Sequence, residues 1–123
     1  MPITDFLFSL KGRIGRLQWW LYVLIASFPT GILDDAWERA DSYGWPLLLV
    51  LTVASVAPLW MFIAVSVKRL HDADMSGWLI WLLLVPGLGM LALLVMNGFV
   101  PGTTGPNRYG EPYGQKDRKA DRP

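Results

Sequence analysis

The chain is 123 residues long, enough for one domain, and 53% of it is hydrophobic. A formal charge of +1 argues against a nucleic-acid partner, and the absence of cysteine excludes disulfides, thiol nucleophiles and thiolate metal sites. Asp, Glu, Lys, Arg and His are all missing from three long stretches, 17–33, 46–67 and 78–100.

Residues 3–10 form a short apolar lead-in, expected as an interfacial turn of helix packed beneath the spans. Lys11, Arg13 and Arg16 follow, directly before Trp19 and Trp20. Cations followed by tryptophans mark a headgroup boundary. The apolar stretches are 17, 22 and 23 residues long, against the roughly 17–25 that a membrane-spanning helix needs. A soluble chain of this size could not cover three such helices on all sides. The expectation is therefore an all-α membrane protein with three transmembrane helices.

The first stretch is the weakest span, because it is the shortest and carries Gln18 and Thr30. No small-residue cleavage site follows it, so it is expected to be a retained anchor rather than a signal peptide. The second holds five Leu, five Val, one Ile and one Phe, worth at most about 4–7 kcal/mol in favour of insertion. Pro58 predicts a kink within it. In the third, Pro86-Gly87-Leu88-Gly89 offers a break that could fold the segment into a re-entrant hairpin. Its two arms would be far shorter than the ~20 residues of a full span, so one kinked span is the expectation.

Loop charges set the orientation. Three Lys or Arg precede the first span, one (Arg39) lies in the first loop, and Lys68 and Arg69 open the second. The positive-inside rule then makes the N-terminus and the second loop cytoplasmic. Residues 1–114 are read as a single membrane domain and 115–123 as a disordered polar tail.

The densest polar cluster runs from Lys68 to Gly77. Arg69 offers a planar fork of donors and Lys68 a mobile charge, and Arg13 and Arg16 share their face by topology. These four are the candidate site for a lipid headgroup or phosphate, with His71, Asp72, Asp74 and Ser76 as supporting polar groups. The alternative is an enzyme acting on a lipid or phosphate-bearing substrate through His71, Asp72 and Asp74. One histidine and two loop carboxylates make a poor metal site, and nothing completes a serine triad. No cofactor or metal is expected. The expected partners are the bilayer itself, an anionic lipid and a membrane protein.

Three runs carry a resemblance. They are Phe8 to Trp20, with its Gly12-Arg13 pair and Arg16; Arg69-Leu70-His71-Asp72 with Ser76-Gly77-Trp78 and Pro86-Gly87-Leu88-Gly89; and Gly105-Pro106-Asn107-Arg108-Tyr109-Gly110. In that order, separated by apolar stretches, they resemble the domain-of-unknown-function 805 family of small bacterial inner-membrane proteins. The resemblance implies an inner-membrane location and transfers no catalytic residue. It adds Asn107 to the polar cluster.

Overall fold

The computed structural model describes residues 2–114, so the expected tail at 115–123 lies outside the described residues. Helices α1 (Ile3–Phe8), α2 (Arg16–Arg39), α3 (Trp45–Asp72) and α4 (Leu88–Gly98) follow in chain order, with 3-10 segments at Ala40–Ser42 and Gly77–Leu84. No strand occurs among the described residues, which are helical apart from turns and one isolated bridge between Asn107 and Gly110.

The short α1 lies against α3. Few of its terminal carbonyls find a partner within so short a helix, and α3 supplies further donors. The Trp60 indole donates to the Phe8 carbonyl at 3.0 Å. Lys68 Nζ donates to the Asp5 carbonyl at 2.7 Å and to that of Phe6. A cation at a helix C-terminus also meets the negative end of the helix dipole.

α2 and α3 run antiparallel. Trp19 donates to Ser66 Oγ near one end and Trp37 to Ser55 Oγ near the other, each at 3.3 Å. Both helices outrun their apolar stretches. α2 continues through Asp34 and Asp35 to Arg39, where an Arg39–Asp35 pair at 3.0 Å bridges one turn. Gly44, at φ +84°, turns the chain into α3 with Pro46 in its first turn. α3 continues through Lys68 and Arg69 to Asp72, so those two cations sit on a helix rather than in a loop. Among the described residues α3 is the one helix both long and apolar enough to cross a membrane.

The third apolar segment is not one kinked span. A 3-10 helix of eight residues leads to a turn at Pro86-Gly87, with Gly87 at φ +74°, and α4 returns over eleven residues. The arms touch: a Cβ on Gly89 would overlap the Leu82 carbonyl oxygen. The segment leaves beside His71, next to Gly77, and ends where the Trp20 indole donates to the Gly98 carbonyl at 3.0 Å. Departure and return lie at the same end of the α2–α3 pair. At about 2.0 and 1.5 Å rise per residue, each arm is about 16 Å long, or half of a ~30 Å hydrocarbon core. The expectation of one span over 78–100 is not confirmed, because the segment is two short arms about a turn rather than one continuous helix.

Burial is inverted relative to a soluble domain. Arg13, Lys68, Arg69, Ser66 and Asn97 are fully buried, while Phe28, Ile32, Leu84 and Leu88 are more than 70% exposed. The small apolar core of Ile14, Trp19 and Val65 lies beside these polar groups. Apolar surface on this scale is stable where the solvent is itself apolar.

Candidate functional site

The polar groups gather at the end where the hairpin returns, and Arg13 is their centre. Gly12 at φ +102° swings the chain across α3, and the Ile14 amide donates to the Lys68 carbonyl at 3.3 Å. The Arg13 guanidinium is buried and all its donors are engaged. Nε donates to Asp72 Oδ1 at 3.0 Å. Nη1 donates to the carbonyls of Gly105 at 2.7 Å and Gly110 at 3.1 Å. Nη2 donates to the Thr103 carbonyl at 2.7 Å and the Asp72 carbonyl at 3.3 Å, with Asp72 Oδ1 2.9 Å away.

Asp72 bridges two arginines. Its Oδ2 lies 3.3 Å from Arg69 Nη1, while Arg69 Nη2 donates to the Val100 carbonyl. Gly102 packs so closely on this carboxylate that a Cβ there would overlap it. Thr103 clasps the Asp72 carbonyl through its amide at 2.8 Å and its hydroxyl at 3.2 Å. The Asn107 amide group donates to the His71 carbonyl at 2.9 Å and to Thr103 Oγ1 at 2.8 Å, and its oxygen accepts from the Tyr109 amide at 2.8 Å. Gly105 and Gly110, at φ +71° and +110°, shape the turn that aims their carbonyls at Arg13.

The other candidates go elsewhere. His71 Nδ1 meets the Gly12 carbonyl at 3.2 Å, and its ring stacks on Tyr109 at 3.8 Å. Asp74, at φ +58°, pairs with Arg108 at 3.1 Å on the surface, and that bond holds the Arg108 guanidinium above its ordinary pKa. Ser76 Oγ accepts from the Trp78 amide at 3.3 Å. Lys68 is committed to α1. His71, Asp72 and Asp74 thus turn to three different partners.

Arg16 differs from its neighbours. It is exposed, with one long hydrogen bond, Nη1 to the Phe99 carbonyl at 3.4 Å. It borders a polar cavity of about 300 Å³ with Gln18, Asp72, Thr103 and Tyr113. Arg13, Arg16 and Arg69 face the single carboxylate of Asp72, so this end carries excess positive charge. Sequence reasoning missed the carbonyls of Val100, Thr103, Gly105 and Gly110. The Gly105-x-x-x-x-Gly110 spacing was their one legible sign.

Residues from all three signature runs meet in this cluster, and the comparisons agree with them. Residues 7–111 match the profile of the family described as protein of unknown function, DUF805. The chain belongs to the DUF805 family. It is 37% identical over 105 residues to inner membrane protein YhaH of Escherichia coli K12, covering 81% of this chain and 83% of that one. It is 35% identical over 101 residues to inner membrane protein YhaI of the same strain, covering 81% of each. The uncharacterized protein YiiR, also of that strain, is 35% identical over 147 aligned positions, covering 98% of this chain and 97% of that one. No solved structure matches. This DUF805 chain is therefore a helical membrane protein with inner-membrane relatives.

Proposed function

We propose that the protein is a binding module of the bacterial inner membrane, without catalysis of its own, that holds an anionic lipid headgroup at Arg16. In this reading α2 and α3 cross the bilayer, and the third segment is a re-entrant hairpin in the cytoplasmic leaflet. Both terminal segments are then cytoplasmic, since three cations, Lys11, Arg13 and Arg16, lie before or at the start of α2 and one, Arg39, lies at its far end. One observation carries the reading. Arg16 is the arginine of the Arg13–Arg16–Arg69 cluster with exposed donors to spare, and it borders a polar cavity at an end with excess positive charge. Arg13, Lys68 and Arg69, first read as direct ligands, are spent on the protein's own carbonyls and carboxylate; they contribute field rather than contacts.

The test is native mass spectrometry of protein released from nanodiscs containing phosphatidylglycerol and phosphatidylcholine. Arg16→Gln is expected to lower retained phosphatidylglycerol about tenfold, in line with one charge-assisted contact of about 1.5–3 kcal/mol. Lys116→Gln in the tail should change it little. Equal losses in both variants would reduce the site to generic charge attraction and overturn the proposal.

A further inference from the structure

A second cavity, on the other side of α3, has different chemistry. A groove of about 700 Å³ opens between α3 and the 3-10 arm of the hairpin. Leu59, Trp60 and Ile63 form one wall, and Ile80, Trp81 and Leu84 the other. Its polar end is built by His71, Ser76 and Tyr109, and no Asp, Glu, Lys or Arg lines it.

That end is organised around one atom. The Gly12 carbonyl can only accept, so in the neutral imidazole Nδ1 carries the proton and Nε2 keeps a lone pair. Tyr109 stacks within 6° of parallel and fixes the ring plane. His71 is 9% exposed, and Nε2 has no hydrogen-bond partner among the described residues. Gly77 keeps this atom open, because a Cβ there would stand 3.2 Å from Nε2 and 2.8 Å from Val67 Cγ1. Ser76 Oγ accepts from the Trp78 amide, which leaves its O–H free to donate. His71 Nε2 and Ser76 Oγ thus offer one acceptor and one donor, the complement of a hydroxyl group.

We propose that this groove binds an uncharged, single-chain amphiphile whose hydroxyl head donates to His71 Nε2 and accepts from Ser76. Charge complementarity selects the head: a carboxylate or phosphate would be desolvated against a lone pair with no cation lining the groove. Volume selects one chain, since 700 Å³ falls within the roughly 300–1,000 Å³ of single-ligand pockets. Length agrees. From His71 to Leu59 along α3 is about 18 Å, enough for a chain reaching the middle of a ~30 Å core from its headgroup level. This site is separate from the Arg16 cavity and does not depend on it.

The full-length protein in phosphatidylcholine nanodiscs supplies the test, because Trp60, Trp78 and Trp81 line the groove and report on it. The probes are a monoacylglycerol brominated along its chain and the equally brominated fatty acid at pH 9. The monoacylglycerol is expected to quench tryptophan fluorescence saturably. His71→Phe, which keeps an aromatic stack and removes the acceptor, should weaken this about tenfold. Gly77→Ala, which crowds Nε2 while leaving His71 in place, should also weaken it. Unchanged melting temperatures identify which variants remain folded, and Arg16→Gln should leave the quenching unaltered. Tighter binding of the fatty acid would overturn the proposal. So would quenching that rises linearly with either probe and is equal in wild type and both variants, which is mixing with bulk lipid.

Discussion

Asp72 holds two buried guanidinium groups apart with one carboxylate, and each of its oxygens faces a different arginine. Asp72→Asn keeps the shape and removes the charge, leaving two cations confined in low dielectric. Removing one partner of a buried ion pair costs about 3–5 kcal/mol, so thermal unfolding in mild detergent should show a clearly lowered midpoint. Arg13→Lys should also destabilise, since an ammonium cannot span the carboxylate and three turn carbonyls at once. An Asp72→Asn variant melting with the wild type would contradict this account of the cluster. The sequence made the meeting of Arg13, Arg69 and Asp72 legible, because an antiparallel α2–α3 pair brings them to one end. It did not reveal that the Arg13 guanidinium donors would be used up internally. Backbone carbonyls have no residue signature, and the turn from Gly102 to Gly110 became a partner only once α4 had brought it back.

At the scale of elements, helices ran past their apolar stretches wherever polar side chains found partners. Lys68 to Asp72 read as a loop because they are charged, yet each of the charged residues there has a hydrogen bond that the helical geometry supplies. The hairpin was legible as a possibility in Pro86-Gly87-Leu88-Gly89, but length was measured against the wrong distance. Gly89 carries the decisive packing, since only a residue without a side chain lets the arms cross at Leu82. Gly89→Val should lower the melting midpoint by more than Gly31→Val does, because a Cβ at Gly31 meets nothing within 4 Å. Equal effects would show that the arms do not touch.

Among the described residues, the buried polar groups are concentrated at one end and large apolar side chains face outward. Such a body is stable where a bilayer covers its sides and water reaches the polar end. If Arg16 holds the headgroup as proposed, phosphatidylglycerol retention is salt-dependent, and raising ionic strength should reduce it in wild type more than in Arg16→Gln. If wild type and Arg16→Gln lose lipid in parallel as salt rises, the Arg16 cavity is not the seat of binding.

The central claim is that the third segment turns back, so that the residues after α4 close over Arg13 on the side from which the chain entered. Reporter fusions in the native membrane test this directly, placed after Asp41, after Asp74 and after Gly114. The account predicts that the Asp74 and Gly114 fusions both report the cytoplasm and that the Asp41 fusion reports the opposite side. A Gly114 fusion reporting the same side as Asp41 would mean that the third segment crosses the bilayer, and the Arg13 cluster could not then form.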